Sequence, residues 1–344
     1  MNPLKRTEHS NVTKQRTMAT AASNARNRKP LSASSMTSRA STPSDSGSDS
    51  EASLVPTAKR RLGDALLAIA EVPEWLQENE YIHTGYRAPS KSLVRSVKSI
   101  LAIHNETINI WSHVLGCLLF LAIPIYVFTT EIPPRYKVAT TEDIIVCTTY
   151  FIGVAICFFL SAVYHTVSNH SSQWHFFTVQ LDYLGILILM YSAHIPLIYY
   201  GFVCDHDLRN MYWGITSFLA LLCAISTLQP GFRDIKAKMW RGGFYTAFGA
   251  SSFAPIVHAV VKYGWEVQKD RMGLIWWVLV AVFNLIGVVA YGLKVPEKFF
   301  PGQFDIVGQS HQILHVSVIV AGMMHVMGCL GDFDYLHEHG AQCS

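Results

Sequence analysis

The stretch "SHQILHVSVIVAGMMHVMGCL" (310–330) combines a long apolar run with two histidines near its beginning. About 20 apolar residues are needed for a helix to cross a bilayer, and this run reaches that length without the alternation of a β-barrel strand. His311 and His315 are four residues apart, so they share one helix face. Because imidazole is costly to bury in lipid, this stretch predicts a membrane span with a functional histidine pair at one end.

Six further apolar stretches of similar length precede this one. The connectors between them are short and several contain proline or glycine. The sequence therefore predicts an all-α membrane protein with seven transmembrane helices over residues 107–330. The six stretches cover about 107–129, 144–166, 177–201, 211–229, 243–262 and 273–293.

The flanking segments have a different composition. Residues 1–60 are rich in serine and poor in large apolar residues, so we predict a disordered cytosolic tail. Residues 61–106 are predicted to be a juxtamembrane amphipathic segment. In this region, the stretch over residues 60–87 either forms a short helix on the membrane surface or packs its apolar stripe on the bundle. Residues 331–344 are predicted to be a short outward tail.

Two function classes are disfavoured by composition. No basic stripe with interleaved aromatic residues is present, so nucleic acid is not an expected partner. The seven cysteines form no C-x-x-C motif and lie mostly in apolar runs, which argues against a disulfide scaffold or a cysteine zinc site.

The distribution of lysine and arginine predicts the orientation of the spans. The two ends of the bundle carry ten and six of these residues, and the richer end is expected to face the cytosol. This places the N-terminus in the cytosol and the C-terminus outside or in a lumen. The richer end holds Arg87, Lys91, Arg95, Lys98, Arg233, Lys236, Lys238, Arg241, Lys294 and Lys298.

Several polar residues of the spans fall at the same depth when the seven helices are threaded in order. Ser161 and His165 lie near the end of the second span, Asp182 near the start of the third, and the histidine pair at the start of the seventh. All these positions are therefore at the cytosolic end. Four other histidines in or near the spans are expected to be structural, hydrogen-bonded residues: His113, His194, His258 and His325.

Three histidines with one open position form a common catalytic zinc site, so His165, His311 and His315 are the predicted ligands. Nitrogen ligands without thiolate suit Zn²⁺ but leave iron and manganese open. Asp182 is the predicted proton acceptor, unless it pairs with a lysine or arginine. Ser161 has three possible roles: a hydrogen bond to a ligand histidine, a hydrogen bond to a substrate carbonyl, or a bond back to its own helix.

At these positions the chain resembles the progestin and adipoQ receptor family. That family includes the adiponectin receptors, fungal proteins implicated in zinc homeostasis and, more distantly, the hemolysin III proteins; the fungal type is the nearest likeness. The resemblance covers about residues 81–330. Its motifs are "HNETINIWSHVLG" (104–116), "SAVYHTVSNHS" (161–171), "LDYLGI" (181–186) and "SHQILH" (310–315).

The resemblance implies a seven-helix fold and a zinc ion held by the three histidines, with a water between the metal and Asp182. For the adiponectin receptors it also implies ceramidase activity. The prediction is therefore a zinc-dependent hydrolase that cleaves the amide of ceramide-type membrane lipids. The alternative is a signalling receptor for an extracellular protein ligand, with a structural zinc. The plasma membrane is the favoured location, and the endoplasmic reticulum stays open.

Overall fold

The computed structural model describes residues 65–130, 134–229 and 238–341. The predicted tail over 1–60 and the start of the predicted juxtamembrane segment lie outside the described residues. The described parts contain ten α-helices and no β-sheet. The helices are α1 (Leu93–Lys98), α2 (Thr107–Thr129), α3 (Thr141–Val167), α4 (Ser172–Gly201), α5 (His206–Leu228), α6 (Lys238–Ala250), α7 (Phe253–Tyr263), α8 (Trp265–Arg271), α9 (Leu274–Leu293) and α10 (Ser310–His339).

Among the residues that the structure describes, seven segments are long and apolar enough to cross a membrane. Six of them are single helices, namely α2 to α5, α9 and α10. The remaining one, Gly242–Tyr263, combines most of α6 with α7. The predicted all-α architecture with seven spans is confirmed.

A break interrupts the fifth span between α6 and α7. The hydroxyl groups of Ser251 and Ser252 donate to the carbonyls of Phe248 (2.6 Å) and Gly249 (2.8 Å). Such bonds from a side chain to the preceding turn compete with the backbone hydrogen bonds of a continuous helix. Pro255 lies in the first turn of α7, where a missing N–H costs nothing.

The last helix is longer than predicted. The expected span ended at residue 330 with a tail over 331–344, but α10 continues to His339. Polar residues of this extension have partners on neighbouring elements: Asp334 accepts two hydrogen bonds from Arg135 (2.8 and 2.6 Å), and His337 bonds Asp143 (2.9 Å). Because these side chains are satisfied, the helix does not have to end where the apolar run ends.

Between residues 65 and 92, the described part of the juxtamembrane segment contains no α-helix; the first α-helix of the region, α1, begins at Leu93. Residues 65–92 form 3₁₀ turns at Ile69–Glu71 and Glu74–Leu76 and one isolated bridge between Leu67 and Tyr86. The interpretation as a surface helix is therefore wrong for this stretch, in which the apolar residues cluster around the turns instead. Val72, Ile82 and Tyr86 are buried together.

This segment packs on the end of the bundle, which is the other interpretation. Asp305, between α9 and α10, accepts hydrogen bonds from the backbone N–H groups of His83 (2.9 Å) and Thr84 (2.8 Å) and from the Thr84 hydroxyl (2.6 Å). Arg87 donates to the carbonyls of His165 (2.5 Å) and Thr166 (3.0 Å) at the end of α3. The segment is thus attached to two spans by charged side chains.

The buried core lies mainly between α2, α3, α4 and α10. Tyr150 is fully buried, and its hydroxyl donates to the carbonyl of Gly322 (2.9 Å). The helices α3 and α4 approach closely at Gly185, where a Cβ would lie 3.1 Å from the Cα of Cys157. Cys157 lies one turn before Ser161, and Gly185 lies one turn after Asp182, so this contact brings those two polar residues to the same interface.

In α9 the exposed surface is almost entirely apolar. Only Gly287 of this helix is buried, and it packs against Leu314 and Ser317 of α10. Such a surface is expected to face lipid. Its exposed apolar residues are Ile275, Val278, Val282, Leu285, Ile286, Val288, Val289 and Leu293.

The cysteines are mostly free, as predicted. Cys204 differs, because it lies in the connector after α4 and is disulfide-bonded. The expectation of small buried apolar thiols therefore does not extend to this cysteine. The free cysteines are Cys117, Cys147, Cys157, Cys223 and Cys329.

Candidate metal centre

Three histidine rings meet where the end of α3 faces the beginning of α10. The ring centroids of His165, His311 and His315 are separated by 4.8 to 4.9 Å in all three pairs, and the ring planes are inclined by 70 to 78°. One nitrogen from each ring lies within 4.8 Å of the other two. The structure therefore brings the three predicted ligands together, although α3 and α10 are far apart in the chain.

The two ring nitrogens of His165 have different surroundings. Nδ1 lies 2.7 Å from Oε2 of Glu106, and within the described residues Nε2 is buried without a hydrogen-bond partner. A carboxylate oxygen only accepts, so Nδ1 carries the proton and the lone pair of Nε2 is free. A buried nitrogen without a partner is costly, and a cation would satisfy it.

His315 is oriented by α2. Its Nδ1 lies 3.2 Å from the carbonyl oxygen of Asn109 and 3.3 Å from the hydroxyl of Ser112. A proton on Nδ1 satisfies the carbonyl and leaves Nε2 as the ligand atom. One face of the His315 ring stacks on the ring of His113, with 3.7 Å between the two ring centroids.

Asp182 and Ser161 lie beside the histidines but outside the three-histidine group. Both are buried, and the Ser161 hydroxyl is within reach for a hydrogen bond to the Asp182 carboxylate. The charged neighbours of Asp182 are His165 and Glu78, so the expected alternative of a lysine or arginine partner receives no support. Asp182 interacts electrostatically with His165, so the carboxylate faces the same region as the histidines.

Several contacts at the site were not predicted from sequence. Glu106, Asn109 and Ser112 follow one another at intervals of three residues and so lie on one face of α2. Glu106 bonds His165, and Asn109 donates to Glu106 (2.7 Å). The stretch "HNETINIWSHVLG" contains all three residues, and their spacing of three residues is the feature from which a polar face of α2 could have been predicted.

The other histidines of the spans differ from one another in hydrogen bonding. His194 bonds the carbonyl of Met190 (2.7 Å), and His258 bonds the hydroxyl of Tyr212 (2.9 Å). His325 lies 3.7 Å from the sulfur of Cys329. Each of these three has a partner for one ring nitrogen, although Nε2 of His194 is buried without one among the described residues. Neither nitrogen of His113 has a partner there, so the expectation of a hydrogen-bonded residue is not met at His113.

The donor set fits a zinc ion. Three imidazole nitrogens from two rigid helices match the ligand number of catalytic zinc sites, which keep one position for water or substrate. The carboxylate on Nδ1 of His165 is a common partner of metal-binding histidine. The fit rests on the ring arrangement and on the partnerless Nε2 atom.

Comparison with known proteins agrees with the fold and with the resemblance of the motifs. Residues 101–326 match the family described as "Haemolysin-III related". The chain is 37% identical over 257 residues to "Adiponectin receptor protein" of Drosophila melanogaster, covering 75% of this chain and 57% of that protein. It is 33% identical over 267 residues to "ADIPOR-like receptor IZH2" of Saccharomyces cerevisiae, covering 78% of this chain and 84% of that protein.

A third relative is "Progestin and adipoQ receptor-like protein 1" of Caenorhabditis elegans, 33% identical over 263 residues, with 76% of this chain and 60% of that protein covered. The chain thus spans less than two thirds of the length of the fly and worm proteins. The chain belongs to the haemolysin-III-related family of multi-pass membrane proteins, together with these adiponectin-receptor-like and progestin and adipoQ receptor-like relatives.

Proposed function

We propose that this protein is a zinc-dependent hydrolase that cleaves the amide bond of ceramide-type membrane lipids. The observation that carries the proposal is the convergence of His165, His311 and His315, with Asp182 buried beside them but outside their group. A fully structural zinc site uses all four positions for protein ligands. Three ligands and an adjacent carboxylate are the pattern of a site that handles water.

The residues have distinct parts in this proposal. His165, His311 and His315 hold the zinc ion, which when bound acts as a Lewis acid that polarises a carbonyl and makes water more acidic. Asp182 takes a proton from the attacking water and returns it to the nitrogen of the leaving amine. A C–O bond forms and the amide C–N bond breaks, so that one water is consumed and a fatty acid and an amine are released. Ser161 holds the carboxylate of Asp182 in place.

The position of the site suits a lipid substrate. The histidines lie within helices long enough to span a bilayer, close to one end of the bundle. An amide near the headgroup level can reach this depth while its acyl chain stays in the apolar phase. A site built in a soluble domain would require the whole chain to be extracted from the membrane.

We place this end of the bundle at the cytosolic face of the plasma membrane. The lysine and arginine distribution supports this orientation. Cys204 lies in the connector at the opposite end and is disulfide-bonded. Because disulfides persist in oxidising compartments, that end is expected outside the cytosol.

The test is a hydrolysis assay on purified, zinc-loaded protein in lipid–detergent micelles, with the fatty acid and sphingoid base quantified by mass spectrometry. Wild type is expected to release both products in equal amounts. Asp182→Ala is expected to retain zinc and lose at least 100-fold in rate, as removal of a general base typically does. Absence of cleavage by zinc-loaded wild type, under conditions where a control ceramidase is active, contradicts the proposal.

A second candidate is a signalling receptor in which the zinc ties α3 and α10 together. The names of the relatives favour it, since all three compared here are called receptors. In this case Asp182→Ala keeps zinc, stability and signalling. The same variant therefore separates the two candidates: loss of activity supports the hydrolase, and retained signalling supports the receptor. Only the receptor candidate requires an extracellular protein ligand.

A further inference from the structure

Glu106 lies just before α2, at the edge of the histidine cluster. Its side chain is 23% exposed, whereas that of His165 is only 2% exposed. The carboxylate reaches across from α2 to α3 to bond Nδ1 of His165 at 2.7 Å. These two residues are 59 positions apart in the chain, so the contact exists only because the two spans pack side by side.

The carboxylate of Glu106 is itself held in place. The Asn109 side chain donates to Oε2 (2.7 Å), and the backbone N–H of Glu106 donates to Nδ1 of His104 (3.1 Å). The residue is therefore fixed by bonds at both its backbone and its carboxylate. Because the Glu106 carboxylate is held in one position, it holds the His165 imidazole that it contacts in one orientation.

Helix capping does not explain why a glutamate occupies position 106. Glu106 occupies the N-cap position of α2, but its side chain makes no capping hydrogen bond. Serine, threonine, aspartate and asparagine are the residues that cap well, and their short side chains suit that geometry. The longer side chain of glutamate is used for reaching His165.

The backbone of His165 is held in place as well. Its carbonyl accepts a hydrogen bond from Arg87, which also bonds the carbonyl of Thr166 and the hydroxyl of Ser99 (2.8 Å). A guanidinium at the last turn of α3 satisfies free carbonyl groups and interacts favourably with the helix dipole. The backbone of His165 is thus fixed by Arg87, and its ring by Glu106.

Building on the zinc site of the proposed function, we propose that Glu106 is a positioning residue that presents Nε2 of His165 to the metal. By accepting the Nδ1 proton, the carboxylate selects the tautomer in which Nε2 has a free lone pair. It also places a negative charge one imidazole ring away from a divalent cation, in an environment of low dielectric where such a charge acts strongly. The first span thereby contributes to the centre without supplying a ligand.

The experiment measures zinc affinity rather than turnover. Full-length protein in detergent is stripped of metal and titrated with Zn²⁺ against a chromophoric chelator. Loss of a group that orients a metal ligand typically weakens metal binding 10–100-fold, so Glu106→Ala is expected to show a loss of that size. Glu106→Gln keeps an acceptor oxygen but not the charge, and its affinity is expected between those of wild type and Glu106→Ala.

Glu106→Asp provides the sharpest comparison. Aspartate is a better N-cap than glutamate but is shorter by one methylene, so it keeps or improves the start of α2 and loses its reach to His165. We expect metal-free thermal stability at least equal to wild type together with a zinc affinity at least tenfold weaker. Glu80→Gln is the matched control, because Glu80 is a more exposed carboxylate of the same juxtamembrane region and its ion-pair partner is Lys294 rather than a histidine.

Cobalt substitution gives a second readout. The visible bands of Co²⁺ report the ligand field, and we expect them to change in all three Glu106 variants and to stay unchanged in Glu80→Gln. Wild-type zinc affinity and unchanged cobalt bands in the three Glu106 variants would overturn the positioning role and leave the zinc site standing. If folded wild type does not bind zinc, both the positioning role of Glu106 and the proposed hydrolase are contradicted. If the Glu106 variants lose zinc affinity but zinc-loaded wild type does not cleave ceramide, the positioning role is supported and only the proposed hydrolysis is contradicted.

Discussion

At the scale of single residues, the histidine cluster is the most informative feature of the molecule. A buried imidazole normally finds hydrogen-bond partners, as His104 does with the N–H of Glu106 and the carbonyl of Ser99. Nε2 of His165 has none among the described residues, although its ring is almost completely buried. A free lone pair in such a place is a cost to folding that the proposed metal binding would offset.

We expect about one zinc per chain in purified wild type, by analogy with other three-histidine sites. His311→Ala and His315→Ala are each expected to lose it, because two remaining imidazoles do not hold the ion tightly. Elemental analysis after gel filtration measures this directly. His258→Ala is the control and is expected to keep full zinc content; a wild type that is folded and free of metal would contradict the assignment.

His104 supplies a prediction on pH. Burial, with the nearby Arg87 guanidinium, lowers the pKa of this imidazole to about 4 from its ordinary value of 6.5. The neutral ring fits its partners, since one nitrogen accepts from the N–H of Glu106 (3.1 Å) and the other donates to the carbonyl of Ser99 (3.1 Å). Protonation in the folded state would break the first of these bonds.

The unfolded chain therefore takes up a proton at His104 near pH 6.5, while the folded chain does so only near pH 4. The stability that His104 contributes is complete above pH 6.5 and is lost as the pH falls toward 4. We expect His104→Asn, which does not titrate, to lose less thermal stability between pH 7 and pH 4.5 than wild type does. Parallel melting curves of the two proteins across this range would contradict the assignment.

At the scale of helices, close contacts between spans two and three set the position of Asp182 and Ser161. Gly153 of α3 packs directly on Ser192 of α4, where an added Cβ would lie 2.1 Å from Oγ and 2.4 Å from Cβ. A rotation of the serine cannot remove a clash with its own Cβ. The two helices must separate to admit any larger residue.

Gly153→Val is therefore expected to destabilise the protein by about 1–3 kcal/mol or more, the usual cost of overpacking a filled interface. Gly214→Val is the matched control, because a Cβ at Gly214 of α5 meets nothing within 4 Å. Thermal unfolding in detergent compares the two variants. Equal melting temperatures for the two would show that α3 and α4 do not pack as closely as described.

At the scale of the whole molecule, the juxtamembrane segment closes the end of the bundle that holds the histidines. Arg87 attaches this segment to the last turn of α3, and Asp305 attaches it to the connector before α10. Both attachment points are next to helices that carry proposed ligands. The segment therefore couples the ends of these two spans.

Removal of the Asp305 carboxylate is expected to loosen the attachment of His83 and Thr84 to the bundle. Asp305→Ala deletes three hydrogen bonds to a charged acceptor, each typically worth about 1.5–3 kcal/mol. Hydrogen exchange at the amides of His83 and Thr84 should accelerate at least tenfold. Glu80→Gln, which removes a more exposed ion pair with Lys294, is expected to leave these amides protected, since such surface pairs contribute about 0–1 kcal/mol.

Apolar length, charge distribution and residue spacing were enough to predict the seven spans and a common depth for the polar residues. Apolar length and helical spacing are local properties, so they could be interpreted without knowledge of how the helices pack. The same holds for His311 and His315, whose spacing of four residues places them on one face. Threading the spans in order then brought His165 and Asp182 to the same end.

The polar groups that contact the histidines could not be predicted in this way, because they depend on how the helices pack. Glu106 contacts His165 across 59 residues and Arg87 reaches its carbonyl across 78, and nothing in the local sequence of either residue marks its partner. The extension of α10 to His339 depends in the same way on Arg135 and Asp143 of other elements. Hydrophobic patterning is a property of one segment, whereas a hydrogen bond between spans requires two segments to be placed in register, and that register is set by packing.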